Sequence, residues 1–370
     1  MALPTPSLGE IRQHLPADCR KRSYAMGLGL FALIGSVVVA SFCAIVFLPD
    51  VWMKFGASLI YGAFIAILFV IGHDACHGAL TPSAPLNQWL TRLAFLPTLH
   101  PASPWEFGHN QLHHGWTNLK GVDYGYTPFT LEEFRALPAW RRGVERFFRT
   151  PLGMPFFYMH IVWWRHLIWP RPADLRKLHK GWLVFDLGLV AAFFMAELTL
   201  SGWIGWQQGG RSGAVVNMLL AVIWPFLIWN WIMAFVTVQH HTHPRVAWFD
   251  SREEWTVFSG QFESTVHVRM PRWLEVLYHD IFEHNAHHVD PKIPLYNLHA
   301  SQRELELAYP NSVTIIHTSL PALSATLRAC KLYDYRQHRW TDFEGRPTGD
   351  RILIPKTRAV GSVVRVEESV

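Results

Sequence analysis

From Val51 to His77 the chain reads VWMKFGASLIYGAFIAILFVIGHDACH. The part from Val51 to Gly72 holds one charge, Lys54, close enough to its start for the long side chain to reach the membrane interface. At about 1.5 Å per residue such a run crosses a hydrocarbon core of about 30 Å. It then passes directly into His73 and His77, whose i,i+4 spacing on a helix puts both imidazoles on one face, about 40° apart. This one stretch predicts a membrane span with nitrogen ligands at its end.

Upstream, Met26 to Leu48 (MGLGLFALIGSVVVASFCAIVFL) is a run of 23 residues without a charge, separated from Val51 only by Pro49 and Asp50. The two runs read as a transmembrane hairpin. Downstream, Trp182 to Leu200 contains Asp186 and Glu197, and Ala214 to Val238 is uncharged but holds Pro225 and Asn230. Uncharged runs above about 18 residues are rarely helices of a soluble protein. The sequence predicts an all-α integral membrane protein with four transmembrane helices, 26–48, 51–72, 182–200 and 214–238, in two hairpins. Segments 73–181 and 239–370 form a helical cap, and 1–370 is read as a single domain.

Lysine and arginine set the orientation. The N-terminal arm holds four (Arg12, Arg20, Lys21 and Arg22) and the segment between the second and third runs holds twelve, whereas the short connections hold at most Lys54 and Arg211. Both termini and the cap are therefore expected on the cytoplasmic side. Pro155 to Trp169 (PFFYMHIVWWRHLIW) is apolar and tryptophan-rich but too short to cross, and reads as an interfacial helix on the inner leaflet.

Composition agrees. Of 370 residues 50% are hydrophobic and 16% charged, too apolar for an ordinary soluble enzyme, and the spans displace the two or three soluble domains that the length alone suggests. The net charge of +5 and pI near 9.1 reflect the bias between membrane sides, so no nucleic-acid partner is expected. Cys19, Cys43, Cys76 and Cys330 have neither disulfide-framework nor zinc-ribbon spacing. The first 25 residues lack an apolar core with a cleavage site, and no removable signal peptide is expected.

The chain has 21 histidines, and they cluster. His73 and His77 form an HxxxH, His109, His113 and His114 an HxxxHH, and His284, His287 and His288 an HxxHH; the last span runs into Gln239-His240-His241-Thr242-His243. The third box ends Arg272 to Glu283, whose apolar spacing predicts an amphipathic helix that carries the box. Neutral imidazole ligates Fe, Zn, Cu or Ni. Eight box histidines, or nine with one from the fourth group, exceed what one ion accepts while leaving room for substrate, so two ions are implied. Only Glu106 to His109 has the ExxH spacing of soluble di-iron bundles, and HExxH is absent, which disfavours those two readings. Asp74, Glu106, Asp280 and Glu283 are candidates for acceptors that orient imidazoles. His14, His100, His160, His166, His179, His279, His299, His317 and His338 lack a partner at helical spacing and are expected away from metal.

At these residues the chain resembles the membrane fatty acid desaturases, and within them the acyl-lipid Δ12 (omega-6) branch. GHDACHGAL resembles the family's first box, HNQLHH with Trp116, Thr117 and Asn118 its second, and VTVQHHTHP with STVHVRMPRWLEVLYHDIFEHNAHHVDPKIPLYNL its third-box region. The likeness runs from about residue 70 to about residue 300. It implies two Fe ions held by His73, His77, His109, His113, His114, His284, His287 and His288, with His241 as the ninth ligand. It also implies insertion of a cis double bond into a long acyl chain, using O2 and external electrons, at a site on the cytoplasmic face of a bacterial inner membrane, or of the endoplasmic reticulum in a eukaryote.

The substrate would be an acyl lipid, acyl-CoA or acyl-ACP. No nicotinamide, flavin, haem or iron–sulfur motif is present, so a separate donor is expected, a ferredoxin or cytochrome b5, docking around Arg141, Arg142, Arg146 and Arg149. The chain departs from the family at His267, where an acidic residue is usual, at Trp105 to Gly108, where an arginine is usual, and at the doubled His240 and His241, which stay alternatives. A hydroxylase, acetylenase or carotenoid ketolase would use the same boxes. A membrane metal transporter or sensor would instead place its ligands within the spans.

Overall fold

The computed structural model describes residues 5–352 and 354. Helix α1 (Tyr24–Phe47) and helix α2 (Val51–Cys76) pack as an antiparallel pair. Asp50 makes the turn: its carboxylate accepts from the N–H groups of Trp52 at 3.0 Å and Met53 at 2.9 Å, capping α2 where four amides would otherwise be unpaired. Helix α2 does not stop at Gly72. It continues to Cys76, so His73 stands in its last turns and His77 is its C-cap. Helix α3 (Ala84–Phe95) then folds back along α2.

The third and fourth apolar runs lie on two helical arms of Lys180–His241 that meet at a glycine turn: helix α4 (Lys180–Met218) holds the turn and passes through a π-turn at Leu219–Ile223 into helix α5 (Trp224–His241). The chain reverses inside α4, where Gly209 (φ −154°, ψ 27°) and Gly210 (φ 58°, ψ −143°) leave helical geometry. A straight helix would hold residues eight apart at about 12 Å. Here a Cβ on Gly205 would lie 2.3 Å from the carbonyl oxygen of Gly213, so only glycine permits the crossing. Among the described residues three helical stretches are long and apolar enough to cross a membrane, Tyr24–Phe47, Val51–Cys76 and Lys180–His241.

The charges within these stretches point inward. Asp186 accepts from Arg92 Nε at 2.8 Å and from the Ser103 N–H at 2.8 Å. Glu197 accepts from the Tyr61 hydroxyl at 2.6 Å, and Lys54 donates to Gln208 at 2.9 Å and to Asn217. Each partner lies on another helix or turn, which removes the cost of an unpaired charge among apolar side chains.

The rest is mostly helical but not wholly, which corrects the all-α expectation. Strand β1 (Val266–Arg269) pairs in parallel with β2 (Thr314–His317), and β3 (Leu332–Asp334) forms a hairpin with β4 (Arg339–Thr341). The helix expected over Arg272 to Glu283 ends at Leu277. His279 (φ 54°) and Asp280 (φ 56°) are left-handed, a conformation that breaks a right-handed helix, and the third box forms its own helix, α6 (His284–Val289). Pro155 to Trp169 is helical from Met154 and becomes a π-helix over Tyr158–Ile168, with Tyr158, Val162 and Leu167 buried and Trp164 and Trp169 exposed. Of the expected single domain and cap, residues 1–4, 353 and 355–370 lie outside the described residues.

Candidate metal centre

All nine expected histidines meet beside the ends of α2 and α5, in two groups. His73, His77, His109, His114 and His287 form one, and His113, His241, His284 and His288 the other; within each, one ring nitrogen per residue lies within 4.8 Å of all the rest. Helix α2 supplies the first pair, α5 supplies His241, and α6 supplies three. The second box stands on a π-helix, Phe107–His113, in which the His114 N–H bonds the His109 carbonyl at 2.9 Å. In an α-helix His114 would lie about 140° around from His109. The wider turn closes i to i+5 and brings the two together, leaving His113 for the other group. On α6 the shorter HxxHH reaches the same division on ordinary helical spacing: His284 and His288 share one group and His287 joins the other.

In the first group Nε2 of His109 lies 2.9 Å from that of His73 and 3.1 Å from that of His114, and His114 meets His287 at 3.0 Å. In the second group three of the four imidazoles have outer partners that fix their tautomers, while Nδ1 of His284 has none. Thr117 donates its one hydroxyl hydrogen to the His113 carbonyl at 2.7 Å, so it accepts from Nδ1–H of His288 at 3.2 Å. His113 donates Nδ1–H to Asp123 at 3.1 Å and His241 donates to the Ser264 carbonyl at 3.4 Å. Their Nε2 lone pairs are thereby turned inward. Nε2 of His77 and of His241 is buried with no hydrogen-bond partner. Burial, and then the neighbouring imidazoles, hold His109, His114, His284, His287 and His288 well below the usual histidine range. Converging neutral lone pairs, without a carboxylate among them, fit an imidazole-binding transition metal in each group.

His241 enters the second group, whereas His240 stacks on His284 with ring centroids 3.8 Å apart. None of the four acids considered as orienting groups touches a box histidine: Asp74 accepts from the Leu295 N–H at 2.7 Å, Asp280 pairs with Arg272, Glu283 pairs with His299 at 2.6 Å, and Glu106 makes no such bond among the described residues. Asp123 and Thr117 do that work, and sequence spacing gave no sign of it, because the loop after the second box must fold back to bring Asp123 to His113. Asp280, Glu283 and His299 also lie together, but Arg272 and the histidine already compensate the two carboxylates. The arginines expected to dock a donor are largely engaged. Arg149 is buried, donating to the carbonyls of Tyr126 and Thr127 at 3.1 and 2.7 Å; Arg141 pairs with Glu145, and Arg146 with Glu344.

A narrow cavity of about 120 Å³ reaches both groups. Its lining includes Ala66, Phe69 and Val70 of α2, Trp229, Ile232 and Met233 of α5, and His73, His113, His241 and His284. Trp229 to His241 is twelve residues of helix, about 18 Å.

Apolar helices thus end beside two clusters of imidazoles that could each hold a metal ion, next to a cavity lined mostly by apolar side chains. Residues 50–319 match the fatty acid desaturase family model, and the chain belongs to that family. It is 30% identical over 283 residues to a chloroplastic omega-6 fatty acid desaturase of Spinacia oleracea, covering 76% of this chain and 60% of that protein. It is 29% identical over 322 residues, 85% of each chain, to an sn-1 oleoyl-lipid 12-desaturase of Picosynechococcus sp.. A Synechocystis sn-1 acyl-lipid omega-3 desaturase (ferredoxin) is 28% identical over 302 residues, 79% of this chain and 78% of that protein. The chain spans about three fifths of the length of the chloroplast relatives it matches.

Proposed function

We propose that the protein is a membrane di-iron desaturase that inserts a cis double bond, at the Δ12 (omega-6) position, into the acyl chain of a lipid. The observation that carries this reading is the pair of imidazole groups whose members line an apolar cavity. His73, His77, His109, His114 and His287 would hold one iron, and His113, His241, His284 and His288 the other. Bound iron would supply the activation of O2; overall, one O2, two hydrogens from adjacent methylenes, and two electrons with two protons from a separate donor would give the double bond and two waters. The protein's own part is positioning and exclusion. Phe69, Val70 and Ile232 keep water from the chain and hold one pair of carbons by the histidines. Asp123, Thr117 and the Ser264 carbonyl keep protons on the outer nitrogens of three imidazoles and leave the inner ones free.

In this reading the two arms of Lys180 to His241 each cross the bilayer, giving four spans in two hairpins with the cap on the cytoplasmic side of a single domain. Regiochemistry follows the names of the relatives, two of which are omega-6 or 12-desaturases, and the printed ferredoxin of the omega-3 relative makes a ferredoxin the first donor to test. Replacing His73, His113 or His287 by alanine is expected to abolish double-bond formation in a host that makes saturated and monounsaturated lipids, with the protein still inserted. Retained activity in all three would sink the assignment. A hydroxyl, keto group or triple bond in the product, read by mass spectrometry, would replace desaturation by a sister reaction.

A further inference from the structure

The cavity beside the histidines and a second cleft share a wall. Asp123, Tyr124 and Gly125 line both, and the second cleft, of about 340 Å³, opens on the outer side of that wall. Its lining holds four cations, Lys120, Arg141, Arg165 and Arg171, of which Lys120 pairs with Glu133. Its two carboxylates are spoken for, Asp123 by His113 and Glu145 by Arg141. Arg171 pairs with Asp174 at 2.6 Å, and Arg165 makes no ion pair among the described residues. In that wall the Tyr124 ring stacks on His166 with centroids 4.1 Å apart and planes 7° from parallel. A buried ring nitrogen of His166, Nδ1, has no hydrogen-bond partner. Arg165, His166 and Arg171 also border a further cleft beside Trp164 and Trp169, which are 49% and 75% exposed. Tryptophans so exposed on an apolar helix belong at the level of lipid head groups.

An acyl chain in the inner cavity must carry its head group somewhere, and the adjoining cleft offers Arg165, the one cation of its lining without an ion pair among the described residues. Guanidinium forks match phosphate oxygens in pairs, and an uncharged sugar head would leave Arg165 without a counter-charge. We infer that the cleft holds the phosphate of the substrate's head group between Arg165 and Arg171, with the acyl chain passing Tyr124 to reach the histidines. This rests on the acyl-chain reading above and adds the class of head group. A phosphate of this kind comes from a membrane phospholipid or from the phosphopantetheine arm of a thioester carrier.

The test measures binding, not turnover. The iron-loaded protein in uncharged detergent is titrated with oleoyl-lysophosphatidylglycerol, oleoyl-CoA and monogalactosyl diacylglycerol, with tryptophan fluorescence as readout. At least one phosphate-bearing ligand is expected to bind about tenfold or more tighter than the galactolipid, and which one does so identifies the source. Arg165→Gln, and Arg165→Gln with Arg171→Gln, are expected to remove that preference, with iron content and helical signal unchanged, while Arg142→Gln, outside the cleft, keeps it. Equal binding of all three ligands, a preference that survives the double change, or the same loss in Arg142→Gln, which would mean surface charge in general, overturns the inference. Equal binding of all three ligands by the unaltered protein, together with normal desaturation, would leave the enzyme reading standing and sink only the head-group site; binding as expected with no unsaturated product would do the reverse.

Discussion

Asp123 lies ten residues beyond His113 and is 4% exposed. Burial alone would push its pKa up; the imidazole of His113 and the N–H of Asn118 outweigh that and hold it below the usual carboxylate range. Its charge keeps Nδ1 of His113 protonated and Nε2 bare. Asp123→Asn retains the shape but loses the charge, and a change of this kind typically costs 10- to 100-fold in metal affinity or activity. Metal analysis of the purified variant is expected to show one of the two groups depleted, with double-bond formation falling by about that factor. This residue was illegible in the sequence, because nothing in the spacing of a loop aspartate says which imidazole it meets. The nine histidines were legible, since each shares a helix face or a helix end with another. His240 against His241 was not, because adjacent residues on one helix differ only in the direction they face.

The second and third boxes differ by one residue, and the elements that carry them absorb the difference. HxxxHH needs the i to i+5 closure of Phe107–His113, whereas HxxHH needs only α6. Deleting Gln111, an exposed residue, converts the second box to the third's spacing and removes the reason for the π-turn. That variant is expected to keep two metal ions per chain, whereas deletion of Ala286, fully buried on α6, leaves a spacing that no helical turn accommodates and loses metal from both groups. Metal-to-protein ratios of the two deletions check this. Periodicity did reveal that His73 and His77 continue the α2 run. It did not reveal that the helix after Arg272 stops at Leu277, because His279 and Asp280 adopt a left-handed backbone that neither residue type announces.

At the scale of the molecule, length and apolarity located every long helical stretch, but not the pairings that let charges live inside them. Asp186 and Glu197 marked the third run as the least regular; their partners Arg92 and Tyr61 sit 94 and 136 residues away along the chain, beyond the reach of any local pattern. Breaking a buried pair by removing one member costs about 3–5 kcal/mol, whereas replacing both by apolar residues of similar size is far milder. Arg92→Leu is therefore expected to lower the unfolding midpoint in detergent sharply, and Arg92→Leu with Asp186→Leu to recover much of the loss, as thermal denaturation would show. Metal belongs to the same scale: by mass action, an ion present at 100 times its dissociation constant stabilises the fold by about 2.7 kcal/mol. Chelation is expected to lower the midpoint and added ferrous iron to restore it.

Because α2 is unbroken from Val51 to Cys76, its apolar length and its histidines form one rigid rod. His73 lies 22 residues from the start of that rod, about 33 Å along its axis, so a swing of about 10° about the far end carries the imidazole about 6 Å sideways. Helices answer a thinner or thicker bilayer by tilting. In the proposed membrane setting the nitrogens facing the metal sites would thus be geared to the thickness of the surrounding lipid, which is itself set by the chains on which such an enzyme would act.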